Sequence, residues 1–80
     1  ANLMIKSDFL LLVDELIEVD FGTLKGPEVL SDIGGWDSLA VMGFIALVDE
    51  KFETTLSPKR LAACRTVNDL IGLIGDKIEV

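Results

Sequence analysis

The stretch GGWDSLAVMGFIALVDEKF, residues 34–52, sets two glycines and an Asp-Ser pair ahead of a run that carries no charge until Asp49. With Ser38 at 0° and about 100° added per residue, Val41, Phe44, Ile45, Val48 and Phe52 fall between about 240° and 340°. That stripe faces a core, so the segment reads as an amphipathic helix from Ser38 to about Phe52. Asp49, Glu50 and Glu53 fall on a second arc, from about 20° to 120°, which is the solvent side. The same arc holds Leu39, Met42 and Ala46. An apolar strip bordered by acids therefore runs down the outside of the helix below Ser38. Either the preceding loop covers Leu39 and Met42, or the strip is a docking surface for a basic, hydrophobic partner patch.

Around this helix the chain reads as three more. Ser7-Asp8 signals a start, and a first helix is expected to run to about Val19, with Phe9, Leu12, Val13 and Leu16 on its inner side and Asp14, Glu15 and Glu18 outside. From Asp20 to Asp37 the periodicity stops, and glycines punctuate a long ordered loop that Phe21, Leu24, Val29, Leu30 and Ile33 are expected to pin down. Ser57-Pro58 marks a short third helix. Thr66, with Asp69 in the capping-box position, opens a fourth in which Val67, Leu70, Ile71, Ile74 and Ile78 keep helical spacing. No strand alternation is visible. The expectation is an all-α four-helix bundle, three helices long and the third short, forming one domain over residues 1–80.

Composition narrows the function. The 80 residues carry a net charge of −7, with 14 acidic and 7 basic side chains and no histidine. Such a field disfavours nucleic acid and anionic membranes and favours basic patches on other proteins. Without histidine the chain lacks the commonest general base and metal ligand. No uncharged run reaches the ~18 residues of a membrane span, and neither a leader segment nor a cysteine pair suggests secretion, so a cytoplasmic monomer is expected.

The head of the second helix concentrates the interest. Asp37 is a strong N-cap, and Gly34-Gly35 lets the chain turn sharply into the helix. With Asp37 as the cap, Ser38 occupies the first helical position, where capping does not need its hydroxyl. Helix N-termini favour phosphate through unpaired N–H groups and the macrodipole, so this serine is well placed to carry a phosphodiester. It is not a nucleophile of the G-x-S-x-G type, because Trp36 replaces the first glycine and no histidine can activate it. Elsewhere, an EF-hand reading from Asp20 fails, since Gly22, Leu24 and Lys25 occupy positions that need other residues. Cys64 reads as a small core or boundary residue whose pKa Arg65 could lower slightly. Gly72 and Gly75 suggest close packing or a fraying end in helix four.

Three segments together resemble the carrier proteins that bear phosphopantetheine, the acyl and peptidyl carrier family. They are D-S-L at residues 37–39, VDEKFE at 48–53 ending the second helix, and TVNDLIGLI at 66–74. The resemblance implies that a phosphopantetheinyl transferase moves the arm of coenzyme A onto Ser38, next to Asp37. It further implies that the arm holds an acyl or aminoacyl cargo as a thioester, and that loading and processing enzymes dock on Leu39, Met42, Ala46, Asp49, Glu50 and Glu53. In fatty-acid carriers the core between the helices can shelter the chain. The domain itself would catalyse nothing. Housekeeping fatty-acid carriers usually place acids where this chain has Ala40 and Gly43, so a specialised pathway, fatty or polyketide, fits better. Trp36 also looks like stand-alone or peptidyl carriers, which keeps an aminoacyl or peptidyl cargo as an alternative. An unmodified helical adaptor using the same strip is the other reading.

Overall fold

The computed structural model describes residues 3–79. Its elements are β1 (Met4–Ile5), α1 (Lys6–Leu16), α2 (Ser38–Phe52), α3 (Pro58–Ala62), α4 (Val67–Ile74) and β2 (Ile78–Glu79), with 3-10 turns at Leu30–Asp32 and Gly75–Lys77. The four helices and the all-α bundle are as the periodicity predicts. Their buried residues form one cluster, with Phe9 at its centre against Phe44 (ring centroids 5.9 Å apart) and Phe52 (5.6 Å). Trp36 extends this row by meeting Phe44 edge-on at 5.7 Å. Burying aromatic side chains of this size is worth ~1.5–3 kcal/mol each, so α1 and α2 are joined chiefly along that row.

Two helix starts follow their sequence signals closely. Ser57 takes the N–H of Arg60 at 3.2 Å with Pro58 following it. At α4, Thr66 Oγ1 takes the Asp69 N–H at 3.2 Å while Asp69 Oδ2 takes the N–H groups of Arg65 (2.9 Å) and Thr66 (3.1 Å). The remaining first-turn donors are satisfied by the long loop: Val67 donates to the Glu28 carbonyl (3.0 Å) and Asn68 to that of Gly26 (2.8 Å). Leu30 donates back to the Arg65 carbonyl at 2.8 Å, and Val29 and Thr66 form an antiparallel bridge. The loop is thus strapped to α4 by backbone bonds, with Leu24 and Leu30 buried beneath it. Phe21, expected among its anchors, is instead 71% exposed.

Helix one departs most from expectation. It begins at Lys6 with no side-chain cap, because the chain enters it from a parallel pairing of Met4 with Ile78 and Ile5 with Glu79 that no alternation of residues reveals. Ser7 therefore lies inside the helix. The helix stops at Leu16, before Val19, and Glu18 takes a left-handed backbone with φ 62°. Its inner face is Phe9, Leu10, Val13 and Ile17, while Leu12 and Leu16 are half-buried.

Asp14, placed outside by its charge, is fully buried. Its carboxylate accepts the N–H of Gly22 at 2.8 Å and of Leu24 at 3.0 Å, replacing water for both partners as the loop turns back under the helix. At the other end of the chain, α4 closes at Ile74, so Ile78 is buried from β2 and not from a helix. Nothing lies within 4 Å of a Cβ built on Gly72 or Gly75, so close packing accounts for neither.

Candidate functional site

Helix two starts at Ser38, as the sequence predicts, because Asp37 is extended (φ −120°, ψ −174°) and its Oδ1 accepts the Ala40 N–H at 2.9 Å. Its carbonyl takes the Val41 N–H at 2.9 Å. Ser38 is exposed at the first helical position. Asp37 occupies the third-residue donor, and the helix geometry leaves the earlier N–H groups without an intrahelical acceptor. A phosphodiester on the serine hydroxyl would sit beside those donors at the positive end of a 15-residue helix. The residues present fit the group.

Trp36 fixes the approach to this site. Its N–H donates to the Ile33 carbonyl at 3.1 Å, and its half-buried ring packs against Phe44 one and a half turns into α2. Loop anchoring is its observed role.

The outer strip is present as read. Leu39 is 78% and Met42 68% exposed, and Ala46, Asp49, Glu50 and Glu53 are exposed below them. The loop does not cover Leu39 and Met42. The strip ends where Glu53 turns left-handed (φ 53°) and donates to the Asp49 carbonyl at 2.9 Å. There Lys77 Nζ caps the helix, donating to the Phe52 carbonyl and to Thr54 Oγ1, each at 2.9 Å.

Two contacts missed in the sequence shape the other side of the site. A Cβ on Gly43 would come within 2.6 Å of Leu16 Cδ1, and one on Gly35 within 2.6 Å of the Ile17 carbonyl oxygen. The two glycines let α2 and its lead-in loop close onto the end of α1. Between them lies a surface groove of about 410 Å³, walled by Leu16, Ile17, Leu39 and Met42 and rimmed by Glu18 and Asp37. A signal existed: glycine inside a helix costs ~1 kcal/mol relative to alanine, so Gly43 needed a reason. Ala40 is buried, and a side chain at Gly43 would meet Leu16.

Three titratable groups elsewhere are shifted by their surroundings. Glu28 is held below its ordinary value: burial acts to raise it, but the N–H groups of Gly26, Lys25 and Glu28 and the charge of Lys25 outweigh that. Asp69 is lowered by the N–H groups of Arg65 and Thr66. Cys64 is raised and not lowered, by burial and the Asp69 carboxylate, against a smaller opposing effect from Arg60. Its Sγ lies 3.5 Å from the Arg60 carbonyl. Among the described residues no group of three or more acidic or cysteine side chains could hold a metal, and no helix is long and apolar enough to cross a membrane.

A family model described as the phosphopantetheine attachment site matches residues 12–74, from the middle of α1 to the end of α4. No curated protein and no solved structure matches significantly. With most of its length matched, the chain belongs to the phosphopantetheine-attachment family, the carrier domains that hold 4′-phosphopantetheine covalently.

Proposed function

We propose that the protein is an acyl carrier whose attachment residue is Ser38. The observation that carries this reading is the exposed hydroxyl at the first position of α2, freed from capping by Asp37 within the family-matched region. In the modification, the Ser38 oxygen forms a P–O bond to the phosphate of the pantetheine half of coenzyme A. The diphosphate linkage breaks, the nucleotide half leaves, and the serine proton passes to a base of the transferase. The bound arm supplies a terminal thiol that holds the cargo as a thioester. This chain's residues present the arm and recognise the enzymes, and with no histidine they do not catalyse the chemistry.

Leu39, Met42 and Ala46, flanked by Asp49, Glu50 and Glu53, form the docking face for the transferase and for the loading and processing enzymes. The net charge of −7 favours acyl-carrier partners with basic surfaces. The neutral head of α2, where Ala40 and Gly43 are committed to packing, favours partners that use apolar contact near the serine and hence a dedicated pathway.

The test is the intact mass before and after incubation with coenzyme A, Mg²⁺ and a broad-specificity phosphopantetheinyl transferase. Wild type is expected to gain one phosphopantetheine and Ser38→Ala none. Full loading of the variant would reject Ser38, and no loading of wild type beside a working control carrier would point to an unmodified adaptor.

A further inference from the structure

We infer that Leu16, Ile17, Leu39 and Met42 seat the phosphopantetheine arm in the groove between the end of α1 and the head of α2, so that arm and cargo lie on the surface and not in the core. This rests on Ser38 being the attachment residue.

Position comes first. The groove is bounded by Asp37 and Leu39, the residues on either side of Ser38. A group tethered to the serine meets this surface at a high effective concentration, so weak contacts suffice to hold it. At about 410 Å³ the groove falls within the ~300–1,000 Å³ of small-molecule clefts.

Its chemistry suits the arm. Pantetheine alternates apolar carbon, including a geminal dimethyl group, with two amides and a hydroxyl. Leu16, Leu39 and Met42 offer apolar walls, while the exposed carboxylates of Glu18 and Asp37 at the rim can accept from amide and hydroxyl donors. Leu39 and Met42, 78% and 68% exposed, gain cover that no segment of the described chain provides.

The other places are poorer. The centre of the bundle is occupied by Phe9, Phe44 and Phe52, each no more than 2% exposed and in ring contact, so a chain entering there must first part them. A second hollow, about 490 Å³ along Ile5, Leu11 and Leu24, has no wall from α2 and so does not border the serine. Leu39 and Met42 then serve twice, covering the arm at rest and meeting a partner when one docks.

The experiment compares isotope-labelled apo protein with protein loaded from coenzyme A, loading being verified by intact mass. Expected are nuclear Overhauser contacts from the geminal methyls of the arm to side-chain protons of Leu16, Leu39 and Met42, with amide shifts at Ile17, Gly35 and Gly43. Gly43→Leu, which places a side chain beside Leu16, should remove those contacts from protein that has gained the same mass. If that variant does not fold, the wild-type contacts decide the question alone. Full loading with no contact beyond the neighbours of Ser38, or with contacts to Phe44 and Leu70 or to Leu11 and Leu24, overturns the inference and leaves the carrier reading standing. Absence of any mass gain overturns both.

Discussion

Gly43 faces Leu16 so closely that a Cβ on the glycine would stand 2.6 Å from Leu16 Cδ1, whereas a Cβ on Gly35 would stand 2.6 Å from the Ile17 carbonyl oxygen. The distances are equal and the obstacles are not. Leu16 Cδ1 is the end of a half-buried, flexible side chain; the Ile17 oxygen belongs to the backbone. Gly43→Ala gains ~1 kcal/mol of helix propensity and spends a comparable amount moving Leu16, so stability should change by less than ~1 kcal/mol. Gly35→Ala must shift backbone and should cost ~1–3 kcal/mol. Urea unfolding of the two variants checks the difference, and equal losses would show that the α1–α2 approach is not set by these atoms.

Asp37 and Ser38 should separate stability from modification. Asp37→Ala removes the cap on Ala40 and is expected to cost ~1 kcal/mol. Ser38→Ala removes an exposed hydroxyl and should alter stability by no more than ~0.5 kcal/mol. Thermal melts of both would expose a structural role for the serine if its variant lost as much as the cap variant.

Asp14 is the buried charge on which the start of the long loop depends. Asp14→Ala leaves the N–H groups of Gly22 and Leu24 without their acceptor and is expected to cost ~2–3 kcal/mol. Hydrogen exchange should quicken most at those two amides. A variant as stable as wild type, with both amides still protected, would contradict the hydrogen bonding described.

Acid should weaken the start of α4. The N–H groups of Arg65 and Thr66 lower Asp69 from its ordinary 3.8, so the folded state favours its ionised form. That stabilisation is complete above the ordinary value and is lost as pH falls below 3.8 through the folded-state value. The excess Tm of wild type over Asp69→Asn should therefore be steady near neutrality and shrink in that acid range. An excess that grows as pH falls would reverse the assignment.

The parts of this molecule legible in the sequence are those governed by neighbours along the chain. Ser38 at the first position of α2, the Asp37 and Ser57 caps, the Thr66–Asp69 capping box and the place of Leu39 and Met42 on the outer arc all follow from spacing within one or two helical turns, whereas the loop's leaving those two side chains uncovered does not. What stayed hidden depends on partners distant in sequence. Asp14 looked solvated because a periodicity sees its charge and not the two loop N–H groups, 8 and 10 residues away, that make burial affordable. Met4–Ile5 and Ile78–Glu79 are too short for alternation to show, and each is a strand only because the other lies beside it. The groove wall at Leu16 and Ile17 was hidden for the same reason, since Gly35 and Gly43 reveal their purpose only against α1.

The parallel pairing of β1 with β2 has a mechanical meaning. Because the two strands run in the same direction, a pull on the chain before Met4 and after Glu79 drags them past each other lengthwise instead of peeling them apart. Tension transmitted through such a carrier would be borne first in shear by Met4–Ile78 and Ile5–Glu79, and not by α2 with its serine.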